Sequence, residues 1–256
     1  MDFLYYILAG AGVGLAVGLT GVGGGSLMTP LLLAFGIPLH IAVGTDLLFA
    51  ALTKSSAVVV HSLQKTVRWD LMLLLAMGSL PAAAGTIILL RLGFDSPDDY
   101  AGIITTALGT TLILTSVAIL FRSRLAQMAR KSPFVTDKRV MALTPVLGVV
   151  LGVFVTLSSV GAGAIATALL MIFYPRLKSV NVVGTDVAHA VPLTLVAGLG
   201  HFWLGNVDLT LLLALLIGSI PAVSAGSRLA RFIPDRYLRP LLAAALCGIG
   251  VKFAFF

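Results

Sequence analysis

Three charged side chains stand inside apolar runs of this 256-residue chain: Asp46, Lys54 and Asp186. Each Asp closes a Gly-Thr-Asp triplet, Gly44-Thr45-Asp46 and Gly184-Thr185-Asp186. An ionised group at membrane depth costs at least ~2.5–3.5 kcal/mol on insertion scales, so a residue kept there is a candidate for function. Asp46, Ala50 and Lys54 fall at successive i+4 steps and share one helical face. His189 follows Asp186 by three residues, within reach around one turn, and imidazole changes charge near neutral pH. A lone ammonium facing a cavity suits an anion, while Asp46, Asp186 and His189 suit proton handling or the shaping of that cavity. The triplets also read as helix starts whose Asp pins nearby backbone. His61 and His201, near the ends of their segments, are further gating or proton-coupling candidates, at places where an interfacial His needs no special purpose.

Two Gly-rich breaks could position an anion. Gly21-Val22-Gly23-Gly24-Gly25 and Gly161-Ala162-Gly163-Ala164 each precede a short apolar segment, 24–37 and 164–175. A helix that starts at such a break has unpaired N–H groups and a partial positive charge at its first turn, which favours an anion. Irregular backbone at membrane depth is tolerated only where it is packed in protein or lines a cavity. The expected site is therefore the N–H groups from Gly23, Gly24 and Gly25 to Ser26 and from Gly163 and Ala164 to Ile165, assisted by Thr45, Lys54 and Thr185. The plainer reading is that small residues let helices pack closely.

The composition requires a membrane. Apolar residues make up 59% of the chain and charged residues 11%, against about 45–50% and 25% in soluble domains. Ten apolar segments, many near the ~20 residues that cross a bilayer, predict an all-α polytopic membrane protein. The net charge of +7 would suggest nucleic acid in a soluble protein. Here the basic residues lie between apolar segments and set topology, so no nucleic-acid partner is expected. The one cysteine, Cys247, excludes an internal disulfide and a multi-cysteine metal site. The start of the chain lacks a basic n-region and a cleavage site and reads as a retained first span.

The chain repeats itself at a spacing of 140. Gly21 and Gly23 match Gly161 and Gly163, Gly44-Thr45-Asp46 matches Gly184-Thr185-Asp186, His61 matches His201, and Gly78-Ser79-Leu80-Pro81-Ala82 matches Gly218-Ser219-Ile220-Pro221-Ala222. Two repeats of about five helical segments, 1–121 and 140–256, flank a basic loop at 122–139. An odd number of crossings in each half makes the repeats inverted. Fourteen Lys and Arg residues then face the cytoplasm and two face out, against nine and seven for parallel halves, and the positive-inside rule selects the inverted arrangement. The 122–139 loop is then cytoplasmic, both termini lie outside, and the breaks enter from opposite sides. Pro81 and Pro221 are expected to kink their helices.

Enzyme motifs are missing. There is no H-E-x-x-H, G-x-S-x-G or Walker A sequence, Glu is absent altogether, and no cofactor is called for. An anion channel or passive pore remains as one alternative. An intramembrane hydrolase would need Asp46 and Asp186 to meet as a pair.

Taken together, the G-x-G-G-G of residues 21–25 followed by Pro30, the Gly44-Thr45-x-Leu47 helix start, His61 followed by Val67-Arg68-Trp69, and their second-half echoes resemble the sulfite exporter TauE/SafE family of bacterial and archaeal permeases. The resemblance implies secondary transport of small sulfur-containing anions, such as sulfite or organosulfonates, across the cytoplasmic (inner) membrane of a prokaryote by alternating access. Protons are the candidate coupling ion, and a homodimer is compatible with such a chain. Many members have Ser where this chain has Asp46, a departure that bears on coupling or substrate. The second glycine motif also departs from the pattern, with Ala162 and Ala164 in it.

Overall fold

The structure is a computed structural model that describes residues 2–20, 25–131, 137–230 and 235–255. Every described element is a helix: α1 (Asp2–Thr20), α2 (Gly25–Ala34), α3 (Leu39–Leu63), α4 (Trp69–Gly93), α5 (Ala101–Lys131), α6 (Asp137–Ser158), α7 (Ala164–Phe173), α8 (Ser179–Trp203), α9 (Leu209–Ala230) and α10 (Asp235–Phe255). Lipid offers no hydrogen bonds, so apolar chain at membrane depth must satisfy its own backbone, and the helix does this within one segment. Six helical stretches, in α3, α4, α5, α6, α8 and α9, are long and apolar enough to cross a membrane.

α2 and α7 have ten residues each. At 1.5 Å per residue they reach about 15 Å, half of a ~30 Å hydrocarbon core. The basic stretch expected as a loop at 122–139 differs as well. α5 continues to Lys131 and α6 begins at Asp137, because the Arg-, Leu-, Ala- and Gln-rich sequence after Phe121 favours helix once it leaves the apolar run. Pro81 and Pro221 lie inside α4 and α9, which continue past them.

Glycines mark where helices touch, and the contacts give their directions. Gly44 of α3 abuts His201 and Asn206, Gly198 of α8 abuts Leu48, and Gly184 abuts His61 and Thr66, so α3 and α8 run antiparallel. α5 and α10 are antiparallel too. Gly109 lies against Phe253 and Ala254, and Ser116 donates to the Ala243 carbonyl at 2.8 Å. By contrast α1 runs parallel to α9, with Gly10 on Leu215 and Gly14 on Ser219, and α4 runs parallel to α6, with Gly148 on Leu75 and Gly152 on Ser79. A Cβ on Gly78 would collide with the Pro145 carbonyl oxygen, and one on Gly218 with that of Ile7. The Gly-Ser-x-Pro-Ala stretches therefore serve as close-packing points, with small residues drawing two backbones together.

These directions define two ends of the bundle. At one end the α3–α4 turn meets the start of α8, where Asn181 Nδ2 donates to the Thr66 carbonyl at 3.1 Å. At the other, the α8–α9 turn meets Tyr100 and the first turns of α3. A buried apolar cluster that includes Val43, Leu47, Ala83, Ile104, Val155 and Leu193 joins residues of both halves.

Candidate functional site

Three of the predicted residues converge where α6 gives way to α7. Lys54 Nζ donates to the backbone carbonyl of Ala162 at 2.6 Å, which ties the ammonium of α3 to the second Gly-rich break. It lies within electrostatic reach of Asp186 first and Asp46 second. Asp46 is completely buried and Asp186 is 3% exposed. Each carboxylate is held by the short helix of its own half: Thr29 of α2 donates to Asp46 Oδ2 at 2.6 Å, and Thr167 of α7 donates to Asp186 Oδ2 at 2.7 Å. Ser159, the first residue after α6, stands beside Asp46.

The break itself is irregular for identifiable reasons. Ser159 has φ 57 and Gly161 φ 109, both in the left-handed region, and Ser158 Oγ accepts from Val160 N–H at 3.2 Å. Gly163 N–H turns back to the Gly161 carbonyl at 2.8 Å. Ala166 N–H also bonds to the Gly161 carbonyl, and Thr167 N–H bonds to that of Gly163. That arrangement leaves the N–H groups of Ala164 and Ile165 without a backbone partner among the described residues. Free donors at a helix start beside an ammonium form an anion-favouring environment. In the first half, α2 starts at Gly25 with Ser26 in its first turn. Gly23 and Gly24 lie outside the described residues.

His189 is buried in α8, with Nε2 paired to Ser79 Oγ of α4 at 2.8 Å, and Lys54 acts on it electrostatically. Asp46, Lys54 and Asp186 thus share one interior region with an imidazole and several hydroxyls. This arrangement can hold a small anion and exchange protons around it.

The remaining candidates lie elsewhere. Thr45 Oγ1 accepts from Asp208 N–H at 3.2 Å, and Thr185 Oγ1 accepts from Arg68 N–H at 3.0 Å. Each threonine therefore clasps the turn that follows the other half's long helix. Gly44 and Gly184 give those turns room to approach. His201 is buried in the same clasp as Thr45, with Nε2 on the Thr156 carbonyl at 2.9 Å and Nδ1 against Asn206 Nδ2 at 3.2 Å. Asn206 in turn donates to Tyr100 OH at 2.8 Å. His61 sits partly buried in the opposite clasp, its Nδ1 paired with Thr66 Oγ1 at 2.8 Å.

Four partners, Thr29, Thr167, Ser159 and Ser79, were not singled out from the sequence. Thr29 and Thr167 are 138 residues apart whereas the repeat runs at 140, so register matching passed over them. A usable signal was present all the same: a threonine within the first five residues of each short helix.

Residues 6–253 match the family described as sulfite exporter TauE/SafE. The chain belongs to that family. A probable membrane transporter protein of Bacillus subtilis, YjnA, is 41% identical over 250 residues, covering 96% of this chain and 97% of the relative. A second from the same organism, YdhB, is 28% identical over 94% of this chain and 96% of its own length. A probable membrane transporter protein of Xylella fastidiosa is 26% identical, with coverage of 90% and 86%. No solved structure gives a significant match. This TauE/SafE member is accordingly a membrane transporter with several membrane-spanning helices.

Proposed function

We propose that this chain is a secondary transporter that carries small sulfur-containing anions, such as sulfite or organosulfonates, across the cytoplasmic membrane by alternating access. The observation that carries the reading is the partly buried Lys54 ammonium fixed on the Ala162 carbonyl of the other half, beside the open first turn of α7. Burying such a charge is costly unless it is paired or used, and an exchangeable anion uses it.

Residues 1–121 and 140–256 form two inverted repeats in this reading, with 122–139 cytoplasmic and both termini outside. Corresponding helices α3 and α8 run antiparallel, as do α5 and α10, which supports a two-fold axis lying in the membrane plane. Movement of one half against the other around the fixed chamber alternates access. Gly23, Gly24, Gly25, Ser26, Gly163 and Ala164 supply backbone at the two breaks, and Lys54 supplies the charge.

Reconstitution tests the reading. Proteoliposomes should take up radiolabelled sulfite saturably, well above protein-free liposomes, and unlabelled organosulfonates should compete. Non-saturable flux that no sulfonate inhibits would instead indicate a passive pore.

A further inference from the structure

The charges gathered around Lys54 do not balance. Asp46 and Asp186 bring two negative charges and Lys54 one positive, so one negative charge is left over when all three are ionised. Lys54 is acted on by Asp186 first and Asp46 second, so both carboxylates share the one ammonium. Asp46 is fully buried, its Oδ2 accepts from Thr29, and its Oδ1 has no hydrogen-bond partner among the described residues. Beside it stands Ser159, 2% exposed, whose Oγ is likewise unpartnered and whose backbone is held at φ 57, an uncommon conformation for a residue with a side chain. Strain of this kind persists where surrounding structure enforces it, and it collects at functional sites.

A hydroxyl can accept as well as donate, so Ser159 can serve Asp46 in either protonation state. A monovalent anion entering beside Lys54 would double the net negative charge of the chamber, and one proton arriving with it would restore the original value. Empty and loaded chambers would then present the same charge to the moving interface.

We propose that Asp46, with Ser159 as its hydrogen-bond partner, takes up one proton with each monovalent anion and gives it up when the anion leaves. The proton adds to Oδ1, and the new O–H donates to Ser159 Oγ. On release the serine hydroxyl turns and donates to the carboxylate. Lys54 on the same helix is the charged group that acts on Asp46, and Asp186 and His189 from α8 interact with Lys54 in turn; Thr29 and Ser159, from α2 and the α6–α7 break, are uncharged. Asp186 remains the counter-ion of Lys54. The inference rests on the anion-transport reading above.

Infrared difference spectra of the purified protein at neutral pH, with isethionate minus without, should contain a protonated-carboxyl band that vanishes in Asp46→Asn and persists in Asp186→Asn. In Ser159→Ala the band should shift in frequency. In vesicles holding a pH dye, uptake of isethionate, a sulfonate with no neutral form at these pH values, should acidify the lumen by one proton per anion. An acid-outside gradient should speed that uptake at least tenfold in the wild type. The response should be flat in Asp46→Asn and displaced along the pH axis in Ser159→Ala. Absence of the Asp46 band, indifference of wild-type uptake to the pH gradient, or drive by a sodium gradient would each overturn the proposal. If the wild type moves neither sulfite nor isethionate, the transport reading fails, and the infrared band still decides whether Asp46 holds a proton.

Discussion

The two clasps that join the halves use the same residues and close to different degrees. At the 204–208 end, Gly44 and Thr45 receive the α8–α9 turn. His201 is buried there, bonded to Thr156 and Asn206, and Asn206 reaches Tyr100. At the 64–68 end, Gly184 and Thr185 receive the α3–α4 turn. His61 is only partly buried there, and Thr66 stands where its counterpart has Asn206. An Asn side chain offers two donors and an acceptor where Thr offers one hydroxyl, and Asn206 Nδ2 reaches both His201 and Tyr100. The lesson is that a repeated motif fixes where two halves meet, while the residue five past the histidine sets how tightly they seal. On the proposed orientation the tighter clasp faces outward.

Substitutions can break or sharpen this contrast. The largest effect is expected from Gly44→Ala, whose Cβ would collide with the Asn206 carbonyl oxygen. Backbone cannot yield as a flexible side chain can, so the loss should reach about 3 kcal/mol, the upper range for overpacking. It should appear as a lower thermal unfolding midpoint in detergent. Asn206→Ala comes next: it strips the buried Tyr100 and His201 of a partner and should cost about 1–3 kcal/mol. Gly184→Ala should cost less, about 1 kcal/mol, because its Cβ would meet Thr66 Oγ1 at 2.9 Å and Thr66 O at 3.0 Å. His61→Ala should be mildest, about 0.5–1 kcal/mol, since one half-buried hydrogen bond is lost. Equal losses for the Gly44 and Gly184 variants would remove the claimed difference between the ends.

Much of the fold was legible because apolar length and glycine punctuation are local signals. Ten apolar segments were expected, and the described residues form ten helices. The end of α5 was not legible, since a basic, Ala-rich stretch reads as loop by charge and as helix by propensity. Within the site, Lys54, Asp46 and Asp186 were visible because a charge in an apolar run stands out. Their partners were not. Thr29 and Ser159 are unremarkable in sequence, and only the folding of α2 and of the α6 terminus against α3 gives them a role. Thr45 and Thr185, each next to an Asp in an apolar run, were expected to assist an anion, and the structure shows each accepting a backbone N–H from the opposite half. The reach of each turn across to the opposite half depends on helix pairing, which single-chain spacing does not encode.

The central claim is that Lys54, fixed at the α6–α7 break, supplies the charge that holds the transported anion. Uptake of radiolabelled sulfite into proteoliposomes, compared between the wild type and Lys54→Ala at matched protein density, tests it most directly. The account predicts at least a tenfold loss of saturable uptake in the variant. Equal uptake by the two proteins would contradict it.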